Sequence, residues 1–154
     1  LRSLAGFSDD ELVGGMTMSV DGRWVCLGRF GREAELWDMQ PYTPTRHYLG
    51  IRGQYAEISP DHRWLALATR TGETFLWDLT APDPLTTKRT LAGHEETVWC
   101  LRVTQDSQWL LTDSRDGTIC RWNLNVESIV ERAQDTAGRV MTPKERVEYN
   151  IPRE

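Results

Sequence analysis

The sequence predicts an all-β fold built from three copies of one four-stranded unit, and three observations predict it. Asp21-Gly22-Arg23-Trp24, Asp61-His62-Arg63-Trp64 and Asp106-Ser107-Gln108-Trp109 are versions of one phrase. Each phrase precedes a second tryptophan by the same interval: Trp24 to Trp37, Trp64 to Trp77 and Trp109 to Trp122 are all thirteen residues apart. That second tryptophan is followed by Asp38, Asp78 or Asn123. A recurrence of ~40–45 residues, with four short strands per unit and a terminal Trp-Asp, describes the blades of a β-propeller.

The first unit covers about 5–49, with Leu4-Ala5-Gly6 at its entry, the turn Ser19-Val20-Asp21 and an outer strand at Thr45–Leu49. The second covers 50–91. Its turn is Ser59-Pro60-Asp61 and its outer strand is Thr86–Leu91. Pro41, Pro44, Pro82 and Pro84 fall in the connections to those outer strands, where a missing N–H removes no ladder bond. The third unit, 92–124, is the best preserved. Thr97–Val103 has the β-branched and aromatic content of a half-buried strand. Thr104-Gln105-Asp106-Ser107 is a polar turn, and Gln108–Thr112 reads as a strand buried on both faces. Ser114-Arg115-Asp116-Gly117 is a tight turn with glycine free to take positive φ, and Thr118–Trp122 is the next strand.

On these residues the chain resembles the WD-repeat (WD40) family. The motifs are Leu91-Ala92-Gly93-His94, Ser59-Pro60-Asp61, Ser114-Arg115-Asp116-Gly117-Thr118-Ile119, Trp37-Asp38 and Trp77-Asp78. The resemblance covers 1–124 and implies three blades of an incomplete propeller ring. A tail follows at 125–154. Asn125 suits an N-cap for a helix at 126–137 with Gly138 as its stop, and Thr142-Pro143-Lys144-Glu145 restarts a helix. This tail is similar to the C-terminal extension of large bacterial WD-repeat proteins. That resemblance implies further blades upstream in the same polypeptide, so the chain reads as the C-terminal part of a longer protein.

The resemblance also assigns roles to a set that mimics a Ser-His-Asp triad. It implies that His94, Thr112, Asp116 and Trp122 form a structural hydrogen-bonded tetrad linking a loop to a buried carboxylate. The first two units lack the set, with Phe30 and Thr71 near the Asp position and no Gly-His. Six of the seven tryptophans hold repeat positions and are expected in the core, whereas Trp99 lies on an inner strand facing the channel. His47 and His62 are expected to be solvated.

Composition narrows the function classes. A net charge of −5 argues against nucleic acid as the partner. No segment is apolar and long enough to span a membrane as a helix. Cys26, Cys100 and Cys120 fall in predicted strands without metal-ligand spacing, so they read as small buried hydrophobes in a reducing, cytoplasmic setting. No phosphate-cradling glycine loop occurs, so no cofactor and no catalytic residue is expected. All but two of the 18 basic residues are arginine, the exceptions being Lys88 and Lys144. Arg29, Arg32, Arg70 and Arg115 fall at turns between second and third strands, and Arg52 falls in a neighbouring loop. In the WD-repeat family those loops form the ligand-binding face. Guanidinium groups suit bidentate recognition of carboxylate or phosphate, so the expected partner is a protein or peptide, acidic or phosphorylated. The competing reading pairs these arginines locally with Asp113, Asp116 and Glu33. The expected function is a non-catalytic interaction scaffold or sensor in a bacterial regulatory protein. The alternative is the propeller portion of an ATPase, protein kinase or caspase-like enzyme whose active site lies outside this chain.

Overall fold

The computed structural model describes residues 13–40 and 43–125. Strands β1 (Val13–Met18), β2 (Trp24–Arg29), β3 (Glu35–Asp38) and β4 (Thr45–Tyr48) form the first sheet in that order. Strands β5 (Gly53–Ile58), β6 (Trp64–Thr69), β7 (Thr74–Asp78) and β8 (Arg89–Leu91) form the second, and β9 (Val98–Val103), β10 (Trp109–Ser114) and β11 (Ile119–Asn123) the third. Neighbouring strands are antiparallel throughout. The third sheet therefore has three strands among the described residues, where four were expected. The expected helical tail from 126 onward and Leu4-Ala5-Gly6 lie outside the described residues.

The thirteen-residue tryptophan interval has a register explanation. Trp24 pairs with Asp38, Trp64 with Asp78 and Trp109 with Asn123, so hairpins of equal length place Trp37, Trp77 and Trp122 at one site in each sheet. The preceding turns are also built alike. Ser19, Ser59 and Thr104 accept the backbone N–H of Trp24, Trp64 and Trp109 at 2.8, 2.8 and 3.1 Å. The same hydroxyls donate to Asp21, Asp61 and Asp106. Each turn needs a left-handed residue next, and Gly22, His62 and Ser107 take φ of 73°, 63° and 56°.

Two apolar layers lie between the sheets. Trp24, Cys26 and Leu36 of the first sheet meet Ile58, Leu65, Leu67 and Trp77 of the second. Trp64, Ala66, Ala68 and Leu76 on the other side of the second sheet meet Val98, Leu101, Leu110 and Trp122 of the third. All six residues of β6 are consequently buried. β10 differs from expectation: its burial alternates, with Leu110, Thr112 and Ser114 covered but Leu111 and Asp113 exposed. Its apolar start, Trp109-Leu110-Leu111, matches Trp64-Leu65-Ala66 of β6, but no further sheet among the described residues stands on its outer face.

Three smaller expectations are corrected. The strand predicted at Thr86–Leu91 is shortened, because Pro84–Thr87 forms a 3-10 turn capped by Asp83. The Thr87 hydroxyl then accepts the Asp78 N–H at 2.8 Å, replacing the ladder bond a strand would have made there. The strand predicted at Thr45–Leu49 ends at Tyr48, and Leu49 donates its N–H to Ala34 instead. Cys26 is sealed, Cys120 is half-buried and Cys100 is exposed, so Cys100 is not the buried hydrophobe expected.

Each inner strand carries a bulge that leaves one residue unpaired: Gly14, Gln54 and Trp99. A bulged residue is re-aimed out of the pleat. Trp99 is 49% exposed and lines a hollow of about 310 Å³ bounded by the inner strands β1, β5 and β9, beside Met16 and Tyr55. Gln54 lies where the first sheet comes closest. A Cβ on Gly28 would stand 2.1 Å from the Gln54 carbonyl oxygen, and one on Gly14 would stand 2.4 Å from it.

Candidate functional site

The third sheet brings together His94, Thr112, Asp116 and Trp122. The Trp122 indole N–H donates to Thr112 Oγ1 at 2.9 Å, and Thr112 Oγ1 lies 2.8 Å from His94 Nε2. On the other side His94 Nδ1 lies 3.1 Å from Asp116 Oδ2 and 3.0 Å from Thr118 Oγ1. One tautomer satisfies every member: Nδ1–H donates to the carboxylate, and Nε2 accepts the Thr112 hydroxyl proton. Gly93 must be glycine for this to form, since a Cβ there would lie 2.7 Å from the Trp122 ring. The His94 side chain is 0% exposed and Thr112 is 1% exposed, so no substrate reaches either atom. Ser114, which also had the residue type of a nucleophile, donates to the Glu96 carbonyl. The relay is a staple, not a reacting centre.

Its carboxylate has a consequence for stability. The Thr118 hydroxyl, against some desolvation, and then the Glu95 and Thr118 amides and His94 hold the Asp116 carboxyl well below its ordinary value of 3.8. A depressed carboxyl contributes stability that is complete above its ordinary value and disappears as pH falls through the lower folded value. Asp116→Asn is therefore expected to lower the melting temperature at pH 7. The difference from the parent should narrow as pH falls below about 4, where the unfolded chain protonates first, and go on narrowing toward the lower folded value. A gap that is constant from pH 7 to pH 2 would show that the charge on Asp116 is immaterial.

The other two sheets solve the same packing problem without histidine. In the first, Arg29 and Glu35 form a buried ion pair at 2.9 Å, with side chains 6% and 4% exposed. Glu35 also accepts the Trp37 indole N–H at 3.1 Å. Arg29 was expected on the ligand-binding face; it is instead an interior residue, because β2 runs on through position 29 before turning. In the second, Thr69, Thr71 and Glu73 make a small hydroxyl network, with Thr71 donating to Glu73 at 3.0 Å. Asp38 and Asp78, next to the repeat tryptophans, pair with Arg23 and Arg63 at 3.1 and 2.9 Å. Those guanidinium groups lie 4.7 and 4.5 Å over Trp24 and Trp64, and Arg121 covers Trp109 at 4.3 Å. Asp38, Asp78 and Asn123 also accept the N–H two residues ahead, which turns the chain out of the strand.

The remaining arginines lie on interlocked turns at one end of the sheets. Ala34 donates to the Ile51 carbonyl, Thr97 Oγ1 donates to the Arg70 carbonyl, and Arg115 N–H donates to the Thr97 carbonyl. Arg32, Arg52, Arg70 and Arg115 are all exposed on these turns. Arg115 faces Glu96 at 3.4 Å, rather than the Asp113 or Asp116 of the competing reading. Arg52 and Arg70 line one cleft of about 460 Å³ between the first and second sheets. Sequence reasoning missed this cleft and the Gln54 that floors it. Among the described residues no group of three or more His, Cys, Asp or Glu side chains is arranged to hold a metal ion, and no helix is long and apolar enough to cross a membrane.

Antiparallel sheets in series, two of them four-stranded, with a Trp–Thr–His–Asp staple in the sheet at 98–123, are the arrangement found in blades of WD-repeat β-propellers. Comparison with known proteins agrees. Residues 85–123 match the family model described as WD domain, G-beta repeat. The chain is similar to Protein LST8 homolog of Drosophila melanogaster, 32% identical over 104 residues, which is 64% of this chain and 33% of that protein. It is also similar to Protein groucho of Drosophila melanogaster, 25% identical over 119 residues, covering 75% of this chain and 16% of that protein. A chain in the crystal structure of a mitotic checkpoint complex superposes with a TM-score of 0.64 at 19% identity, covering 80% of this chain and 39% of that one, which shows the shared fold. The chain thus spans a third or less of these curated relatives. Together these likenesses support the WD40 repeat family. Repeats of this family are generally protein–protein interaction scaffolds, and the propeller is typically non-catalytic.

Proposed function

We propose that the chain is a non-catalytic interaction module whose turn face binds an acidic or phosphorylated peptide segment of a partner protein. The observation that carries this reading is the placement of Arg32, Arg52, Arg70 and Arg115 on exposed turns that hydrogen bonds tie in two pairs, the turn of Arg32 to that of Arg52 and the turn of Arg70 to that of Arg115 through Thr97. Recognition on such scaffolds resides in the loops, because the sheets beneath fix them. We place the module in the cytoplasm, within a larger bacterial regulatory protein that supplies further blades. The outer face of the third sheet favours that arrangement. Leu111 and Ile119 are 38% and 73% exposed there, whereas Ala66 and Thr74, their counterparts in the second sheet, are sealed by the neighbouring blade.

An array of short peptides graded in acidic and phosphoserine content tests the reading. The chain should retain acidic or phosphorylated peptides over neutral ones. Joint replacement of Arg32, Arg52, Arg70 and Arg115 by glutamate should abolish retention while the far-ultraviolet circular dichroism stays unchanged. Equal retention by both proteins would remove the arginine rim from the function.

A further inference from the structure

We propose that the cleft between the first and second sheets is the seat of a single carboxylate side chain of the bound peptide, gripped by Arg52 and Arg70. The assignment rests on the interaction-module reading and names the chemistry of its anchor. Three observations carry it. First, Arg52 and Arg70 both line the cleft, and neither makes an ion pair among the described residues. Second, Gln54 lines the same cleft at 4% exposure, and its side-chain amide makes no hydrogen bond among the described residues. The amide is not one of the sealed polar atoms without a partner, so it still reaches the open cleft, where it is placed to pair with a ligand. The bulge in β5 turns Gln54 there, and the close approach of Gly14 and Gly28 to its backbone holds it in place. Third, the charge balance selects the ligand. Glu73 also lines the cleft, with its carboxylate held by Thr71, so two cations and one anion leave a net charge of about +1. That complements one carboxylate and disfavours a doubly charged phosphate. Phe75 and Ile51 supply an apolar wall for the methylene stem of a glutamate, and the Gln54 amide is left for the peptide backbone.

Two-dimensional NMR of the full chain tests this with small probes: N-acetyl-glutamate α-amide, its glutamine counterpart and inorganic phosphate. The Gln54 side-chain amide should shift saturably with the glutamate probe and stay in place with the glutamine probe. Arg52→Gln and Arg70→Gln should each weaken that titration by about tenfold or more, while Arg115→Gln leaves it unchanged. The amide spectrum of each variant reports its fold directly. Tighter binding of phosphate, or no movement of Gln54, overturns the assignment. If the glutamate probe moves amides near Arg32 and Arg115 but not Gln54, the cleft is excluded and the arginine rim stands. If no amide on the rim moves and the peptide array also retains nothing, both readings fall.

Discussion

Replacing Gly28 with alanine is expected to destabilise the protein by about 3 kcal/mol or more. The new methyl would stand 2.1 Å from the Gln54 carbonyl oxygen and 2.5 Å from its carbonyl carbon, both backbone atoms. A flexible side chain could swing away from such a contact, but a strand carbonyl cannot. The first and second sheets would have to separate along the seam where β1 and β2 meet β5, loosening the apolar layer of Trp24, Leu36, Leu65 and Trp77 beside it. In a chain of this length the loss corresponds to a fall in melting temperature of roughly 6–12 °C. The control is Gly117→Ala. Gly117 has a φ of 80°, but a methyl added there would meet nothing within 4 Å, so its substitution should cost only the left-handed strain of ~1 kcal/mol. Urea denaturation of the two variants separates the causes. If Gly28→Ala unfolds at the parent midpoint, the sheets do not approach this closely in solution.

The blade grammar was legible because it rests on register. An antiparallel hairpin of fixed length forces Trp24 opposite Asp38 and Trp64 opposite Asp78, so the spacing of tryptophans in the sequence is the spacing of pairs in the sheet. The polar turns were legible for a similar reason: a Ser or Thr, an Asp two residues on and a left-handed residue after it are what that turn geometry requires. The bulges were not legible. Gly14, Gln54 and Trp99 hold one structural position with three unrelated side chains, because what makes a bulge is the extra residue and not its type. The cleft at Gln54 was hidden with it. Nor did the apolar run of β10 reveal its half-open environment, since burial on the second face depends on a neighbouring blade and not on the strand itself.

Arg29 is the instructive error, because the signal for its true role was present. In β2, Val25, Leu27 and Arg29 alternate onto one face, and the β3 residues opposite Leu27 and Val25 are Glu35 and Trp37. A cation and an anion diagonal to each other on one face of a hairpin are placed to meet. Reading Arg29 as a turn charge set the strand end one residue too early. That single residue decides between a solvated guanidinium and an interior one.

Glu35→Ala is accordingly expected to lower stability by ~3–5 kcal/mol, as loss of one member of a buried ion pair does. The glutamate serves two donors at once, Arg29 through one oxygen and the Trp37 indole through the other. Arg46, which reaches the same carboxylate at 3.9 Å from the solvent side and lies 5.5 Å over Trp37, loses its anchor as well. Glu35→Gln keeps an acceptor in place and should lose less. The decisive variant replaces both partners, Arg29→Met with Glu35→Leu. Two apolar side chains of similar volume remove the buried charge together with its counter-charge, so the double variant should recover most of the single-variant loss. A residue of ~1–3 kcal/mol should remain for the unsatisfied Trp37 indole. A double-mutant cycle in urea measures each of these steps. Additive losses with no recovery would mean that Arg29 and Glu35 do not act as a pair, and that the first blade is held together by packing alone where the third relies on its histidine staple.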